Sequence, residues 1–440
     1  MNEKPKSIWK KSWTGPHWLR AWLMLAAATF VILLIGALIL PGGPHSLLDW
    51  VLPLTFCLGA SLVIATVVVG LWLCIRYFFN WRNFKRLLLG LACFATLIGL
   101  FYAVENFRGK LAWNSFKQER EAKGVNFDLA SFIPTPVPDD QNFAMAPIWV
   151  ESIQAVLGPK QARQLKYPDL GRTNLADRLL LQIWHQSSQQ GQPESGDWHK
   201  AERVDLKAWQ EYFRATTNGL TRNTFTNEFP VAPQPQSPAQ DVLLALSKHD
   251  AAITDLRQAS RLPDSRFPLG YDNENPASIW LPHLAMLKRG SIFLRLHAVA
   301  ALQNGQAEKA VEDVALALRL MDSIRSEPFL ISHLVRLAML QLTLQPIYEG
   351  VADHRWSDAQ LAMLDAELAK LDFLADYEFC QRSELALISK DLEYRRRTRD
   401  PEYLLYADYG NSRNRSFEEE LRVFVFRHCP GGWFYQNQLR

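Results

Sequence analysis

The stretch AWLMLAAATFVILLIGALIL, residues 21–40, contains no charged side chain. Two further runs share this property, WVLPLTFCLGASLVIATVVVGLWLCI at 50–75 and LLLGLACFATLIGLFYAV at 87–104. About 20 apolar residues in a helix cross a hydrocarbon core about 30 Å thick. Buried helices of soluble proteins rarely contain uncharged runs this long. The sequence therefore predicts an anchor of three transmembrane helices over residues 21–104.

The first run has another interpretation, a cleaved secretory signal peptide, because basic residues precede it. The run is longer than the apolar part of a usual signal peptide, and no small-x-small cleavage site follows Leu40. We interpret it as an uncleaved signal-anchor helix. None of the three runs contains Asp, Glu, Lys, Arg or His, which argues against a pump or channel within these helices. Their glycines, Gly59, Gly70, Gly90 and Gly99, are either close-approach points or ordinary membrane glycines.

The Lys and Arg residues of the short flanks predict an orientation. Residues 1–20 carry five, the loop 41–49 carries none and the loop 76–86 carries four. Short basic loops stay in the cytoplasm, so residues 1–20 form a cytoplasmic basic N-terminus and three crossings leave the C-terminal domain outside. A basic cluster at 108–123 opposes this, but long domains are translocated largely irrespective of charge. The expected location is the bacterial inner membrane.

Charge is divided unevenly along the chain. Residues 1–110 hold eleven Lys or Arg and three acids, a net charge of +8, whereas the whole chain is +3, so the remainder carries −5. A basic part around apolar runs is typical of membrane contact. The nearly balanced remainder has no basic stripe of the kind that binds DNA or RNA. We expect the lipid bilayer and other proteins, and no nucleic acid, as partners.

Residues 105–147 are predicted to form a membrane-exit helix and a proline-rich strap. Gly124 can end the helix. The strap, SFIPTPVPDDQNFAMAP at 131–147, has four prolines and is therefore extended. Its acids, Asp139 and Asp140, are either a carboxylate pair for a cation or acid–base chemistry, or part of a turn that bonds its own backbone; we favour the turn.

Apolar side chains on the strap predict that it packs across the helical domain, because a free linker is rich in polar residues. If Phe132 and Phe143 are fully buried, replacing either by Ala should cost about 3–5 kcal/mol, and less if they are partly exposed.

Residues 148–440 are predicted to form a helical soluble domain of stacked helix pairs, so the fold class is all-α. Helical periodicity covers most of 240–397, and Ser357 with Gln360 predicts a capping box. Polar or proline-rich loops are expected at 185–197 and 230–238. The pair 291–322 resembles a tetratricopeptide hairpin through Ala298, Ala310, Ala317 and Gly305, although its aromatic positions differ and no second copy follows at that period.

No motif with a known catalytic mechanism occurs, such as a phosphate-binding loop, a nucleophile elbow or a zinc-binding helix. Catalytic residues are therefore unknown, and no cofactor or metal site is expected. His297 and His333 could approach each other across a helix pair, but each is more typical of a core residue. Cys380 and Cys429 either pair in an oxidising compartment or are free thiols. The string YRRRTR at 394–399 is either a solvated face or an anion-binding patch; we favour the solvated face.

Three stretches, 112–147, 304–324 and 354–368, resemble a family of uncharacterised bacterial membrane-anchored proteins. The resemblance covers most of residues 111–440 and is most specific at the strap. It implies an anchored helical domain and no particular activity. It also implies that residues 432–437, GWFYQN, are followed by more chain in other members, so that this chain would be a shortened one.

From these patterns we expect an extracytoplasmic helical scaffold for protein or peptide interaction. Two alternatives stay open. One is a membrane-bound, hydrolase-like enzyme of unfamiliar type with a site near the strap. The other is an accessory subunit of a membrane complex. The sequence leaves open whether the protein is an enzyme.

Overall fold

The computed structural model describes residues 17–39, 51–78, 81–168, 178–181, 195–217, 229–399 and 417–438, together with positions 183 and 193. This part of the chain is all-helical, with 77% of it in helices and no strand, so the predicted all-α class is confirmed. It divides into two compact units, Met1–Phe107 and Arg108–Arg440.

The first unit contains α1 (His17–Ile39), α2 (Val51–Phe78) and the first part of α3 (Trp81–Ala122). These helices include nearly all of the three apolar runs. α1 and α2 pack together, and the indole N–H of Trp22 donates to the Thr66 hydroxyl at 3.1 Å. The N-terminal flank and the loop 41–49, on which the predicted orientation depends, lie outside the described residues.

Small residues at four-residue intervals line the packed side of α2. Cys57, Ser61, Ala65 and Val69 are buried, and a stripe of this kind lets two membrane helices approach closely. The glycines of α2 have a different environment. A Cβ added at Gly59 or Gly70 would meet nothing within 4 Å, so neither is a point of close approach among the described residues.

Four described helices are long and apolar enough to cross a membrane. Three are α1, α2 and α3. The fourth is α11 (Leu330–Ala352), which belongs to the second unit. Length and composition thus give four candidate helices, whereas the apolar runs of the sequence predict three crossings.

The second unit is organised around α9 (Pro282–Gln303). Fourteen of its 22 residues are buried, because α7 (Pro238–Leu246), α10 (Ala307–Asp322) and α11 all pack against it. A helix with this share of buried residues lies at the centre of the core.

The predicted helix pair 291–322 is present as a hairpin of α9 and α10. Gly305 has a φ of 73°. Beside it, the Gln306 N–H donates to the Ala301 carbonyl at 2.8 Å and the Gly305 N–H donates to the Leu302 carbonyl at 3.0 Å, a Schellman turn that favours glycine. The three predicted small residues are buried between helices: Ala298, Ala310 and Ala317.

The other predicted boundaries are mostly confirmed. Ser357 and Gln360 form the expected capping box of α12 (Asp358–Leu368), and Gly124, with a φ of 81°, follows the end of α3. The helical pattern at 240–259 divides at a 3-10 turn, Ser247–His249. The remaining helices are α4 (Pro147–Leu157), α5 (Pro159–Gln164), α6 (Leu206–Thr217), α8 (Asp250–Ala259), α13 (Phe373–Thr398), α14 (Phe417–His428) and α15 (Gly432–Gln438).

The proline-rich strap is docked, as predicted. The Asn142 side chain both accepts from the Arg266 N–H and donates to the Arg266 carbonyl, at 2.8 and 2.9 Å. The Phe143 N–H donates to the Asp264 carbonyl at 2.9 Å. Phe143 is fully buried, whereas Phe132 is half-buried beside Phe379. The loss of about 3–5 kcal/mol therefore applies to Phe143→Ala, and Phe132→Ala should cost less.

Candidate functional site

The two strap acids do not form a catalytic pair with a histidine in the described part of the chain. Asp139 and Asp140 begin a 3-10 turn, Asp139–Gln141, and both side chains are exposed to solvent. The backbone N–H of Asn142 closes this turn by donating to the Asp139 carbonyl at 3.3 Å. The favoured turn interpretation fits these contacts.

The two histidines singled out from the sequence belong to different groups. His297 Nδ1 lies 2.5 Å from an Asp313 carboxylate oxygen, and the other oxygen accepts from Arg257 at 2.5 Å. Fully buried Asp313 thereby joins α8, α9 and α10. His333 lies on α11 beside Phe373 and Tyr377. Among the described residues, no three His, Cys, Asp or Glu side chains gather as metal ligands.

Cys380 and Cys429 are both free, so the pairing alternative is wrong. Cys380 is buried near the Glu327 carbonyl, and Cys429 contacts the Phe426 carbonyl and Arg399. Burial raises the pKa of Cys380 to about 11. Its thiol is therefore protonated at neutral pH and is not an activated nucleophile.

The string YRRRTR is a paired, solvated face, as favoured from the sequence. Each of its three consecutive arginines has a carboxylate partner within 2.6–3.0 Å: Arg395 with Asp391, Arg396 with Glu393, and Arg397 with Glu274. These pairs compete with any anionic ligand for the guanidinium groups.

A buried polar group that we call the Glu327 cluster lies between α9 and α11. Glu327, in the connection that precedes α11, accepts from the Ser332 hydroxyl at 2.5 Å and lies 2.7 Å from His283 Nε2. His283, in the first turn of α9, stacks on Phe267 with ring centroids 4.2 Å apart. All three polar side chains are at most 3% exposed.

Two tyrosines adjoin the Glu327 cluster. Burial, reinforced by the Glu327 carboxylate, raises the pKa of Tyr167 and of Tyr271 above the usual value for tyrosine, so both hydroxyls stay protonated. Neither hydroxyl, nor Nδ1 of His283, has a hydrogen-bond partner among the described residues. Groups of this kind can hold a buried water or a polar ligand atom, but the cluster is closed to bulk solvent.

A second buried group anchors α11 to α13. The Asp376 carboxylate accepts from Arg336 at 2.9 Å and from Arg325 at 3.0 Å. Arg336 is only 1% exposed and lies over the Phe373 ring. Burial and the positive charge of Arg336 lower the pKa of nearby His333, and the Asp376 charge partly offsets this.

The second unit has an open groove of about 500 Å³ that we call the Trp280 groove. One wall is formed by α5 and the residue after it, and the other by the loop that precedes α9. The Lys166 ammonium and the Asp272 carboxylate, 2.9 Å apart, form an ion pair beside it. Its lining comprises Gln161, Gln164, Leu165, Leu269, Gly270, Asp272, Asn273, Ser278, Ile279 and Trp280.

The Trp280 groove combines an apolar floor with an exposed aromatic residue. Leu269 is buried, whereas Trp280 is 55% exposed. Gly270 has a φ of 68°, and a Cβ added to it would lie 3.5 Å from a Leu165 methyl. A side chain at this position would be strained and would narrow the groove.

The groove and the Glu327 cluster share their framework. Tyr271 directly follows Gly270, and Tyr167 lies two residues after Leu165. The buried tyrosines therefore hold the same two segments that form the groove walls. No single stretch of sequence predicts this site, because its walls are more than 100 residues apart in the chain. A signal was present: Trp280 is a large apolar residue at the end of a loop rich in Pro, Asn and Asp.

Comparisons with models of protein families, with curated proteins and with solved structures gave no match. The function has to be argued from the geometry, and the resemblance stated from the sequence stays a prediction.

Proposed function

We propose that this protein is a membrane-anchored helical scaffold that binds an extended peptide segment of another protein in the Trp280 groove. The exposure of Trp280 beside an open groove with an apolar floor is the observation that carries the proposal. Tryptophan is enriched among the residues that dominate binding energy at protein interfaces.

The polar lining fits a peptide backbone. Gln161 and Gln164 are exposed on one wall, and a carboxamide can both donate to a carbonyl and accept from an N–H. Lys166 and Asp272 neutralise each other at the rim. The groove therefore favours a segment with uncharged side chains, whose apolar groups can contact Leu165, Ile279 and Trp280.

The enzyme alternative has less support at the positions considered for it. Asp139 and Asp140 are exposed in a turn. The three polar side chains of the Glu327 cluster are buried and closed to bulk solvent. The accessory-subunit alternative makes a different prediction, namely that the chain leaves the membrane in a complex when it is extracted in mild detergent.

For the anchor, we propose that α1, α2 and the apolar part of α3 cross the bacterial inner membrane, with the N-terminus in the cytoplasm and the second unit outside. The basic flanks support this orientation. α11 is assigned to the soluble domain because Arg336 is buried and paired with Asp376 and Glu349 is buried and accepts from Gln345. Reporter domains fused after Leu40, Arg86 and Arg440 test this topology, and a cytoplasmic signal from the last fusion would overturn it.

Peptide binding is tested with the full-length protein in lipid nanodiscs and a displayed library of short random peptides. Peptides selected on the native protein should lose at least about tenfold in affinity for the Trp280→Ala variant, as expected for an interface hot spot. Trp433→Ala is the matched control, because Trp433 is also an exposed tryptophan, at 37%, but lies on α15. Equal binding to the native protein and to Trp280→Ala would contradict the proposal.

A further inference from the structure

Helix α14 has an exposed apolar face that the proposed peptide groove does not use. Its four large members are 81%, 50%, 59% and 48% exposed: Phe417, Leu421, Phe424 and Val425. At 3.6 residues per turn they fall within an arc of about 100°. We call this surface the α14 face. An amphipathic arc of this width normally rests against another apolar surface.

The other side of α14 faces the protein. Val423 is buried, and the Phe426 ring contacts the Phe434 ring of α15, with centroids 5.1 Å apart. α14 thus has two apolar sides, one occupied within the second unit and one exposed in the described structure. The exposed side is not needed to attach the helix.

The contacts of α15 place this part of the second unit beside the membrane exit of α3. Trp113 of α3 stacks on Tyr435 of α15, with centroids 5.6 Å apart. A Cβ added to Gly109 would lie 2.2 Å from the Gly432 carbonyl oxygen, so the two backbones touch. Gly109 is five residues after Val104, the end of the third apolar run, and five residues reach at most about 18 Å.

Since Val104 ends a transmembrane run in the proposed topology, Gly432 lies within the reach of the lipid headgroup layer. Only residues 429–431 separate the end of α14 from the start of α15. A connection of three residues therefore joins α14 to the part of the second unit that lies near the membrane in the proposed topology.

We propose that α14 lies in the headgroup layer of the same bilayer, with its exposed apolar face on the acyl chains. Arg422 and Arg427 lie on opposite borders of the arc. Arg422 is 2.7 Å from Glu418, and the long basic side chain of Arg427 can reach lipid phosphates. The helix contains three Glu and two Arg, so its attachment depends on apolar contact and not on anionic lipids. The inference rests on the membrane anchor proposed above and is independent of the peptide groove.

The test uses the full-length chain with a fluorescent amino acid introduced by amber suppression, in nanodiscs of phosphatidylcholine that hold one copy. Position 421 reports the α14 face, and position 422, the next residue, is the matched control on its polar border. A phosphatidylcholine with a doxyl group on its acyl chain should quench position 421 at least about twofold more than position 422, and aqueous iodide should show the reverse preference. Both sites are exposed, so the label leaves the core unchanged.

A third label at position 97, within the third apolar run, separates the two proposals. Doxyl quenching at position 97 with equal quenching at 421 and 422 would overturn the α14 inference and leave the anchor intact. No doxyl quenching at position 97 would overturn the anchor, and the inference with it. Protection of position 421 from both quenchers would mean that protein covers the face, which also overturns the inference.

Discussion

Helices α2 and α11 are both apolar enough and long enough to cross a membrane. They differ in which side chains they expose and which they bury. α2 exposes large apolar groups, with Phe56 at 74% and Val63 at 63%, and no charged residue occurs between its start and Ile75. α11 carries Arg336 and Glu349, both at most 2% exposed.

The mean hydropathy of α11 is half that of α2, 1.2 against 2.4, and the arrangement of its residues also differs. The buried side of α11 follows alternating steps of four and three residues: Ser332, Arg336, Met339, Thr343, Pro346 and Gly350. A stripe with this spacing lies on one side of a helix. Its polar members have partners, such as Asp376 for Arg336. A single charge within an apolar run therefore indicates a core helix when a complementary residue exists elsewhere in the domain.

The variant Asp376→Leu is the test of this comparison with the largest expected effect on stability. It leaves the Arg336 guanidinium buried without its carboxylate, which should lower the free energy of unfolding by about 3–5 kcal/mol. Denaturant unfolding of the full-length protein in mild detergent, followed by circular dichroism, measures the loss. The control Asp365→Leu changes an exposed residue of α12 and should stay within about 0.5 kcal/mol. Similar losses for the two variants would show that the pair does not anchor α11.

A smaller difference in stability is expected when one glycine of α11 and one glycine of α2 are each replaced by alanine. A Cβ added to Gly350 of α11 would lie 2.1 Å from Trp356 Nε1, and that indole is fixed by donating to the Ile347 carbonyl at 3.2 Å. Gly350→Ala should therefore cost about 1–3 kcal/mol through overpacking. Gly70→Ala on α2 is the matched variant, because nothing lies within 4 Å of its added Cβ. Thermal unfolding should separate the two, and a tolerated Gly350→Ala would argue that Trp356 is not packed there.

The smallest expected effect concerns pH. Burial and Arg336 lower the folded-state pKa of His333 below its unfolded value of about 6.5, so the unfolded chain binds the proton more readily. The stabilising contribution is complete above about pH 6.5 and is lost as the pH falls through the folded pKa. Native protein should therefore lose stability relative to His333→Gln between about pH 7 and pH 5.5. If the melting temperatures of the two proteins change equally with pH across this range, the prediction is wrong.

Sequence patterns predicted those helix ends that are marked by one residue and its near neighbours. Gly305 and Ser357 mark such ends, because a Schellman turn and a capping box use hydrogen bonds that span only a few residues. The α4 and α5 helices were missed. Each begins with a proline, at Pro147 and Pro159, and Pro147 is the last residue of the strap, which was predicted to be extended.

The candidate site could not be predicted in the same way. Its groove needs α5 to meet the loop before α9, and the Arg336 pair needs α13 to meet α11. Local periodicity carries no information about which distant segments approach each other. The strap was the exception, because apolar side chains on an extended, proline-rich segment indicate docking even when the docking surface is unknown.

The docked strap has a consequence for synthesis of the chain. Its hydrogen bonds join Asn142 to Arg266, 124 residues later in the sequence. At about 5–20 residues per second, a ribosome needs roughly 6–25 s to supply that partner. During this interval Phe143 has no Asp264 to bind and no completed core to enter. Newly made chains therefore pass through an aggregation-prone stage in which the apolar side of the strap is open to chaperones and proteases.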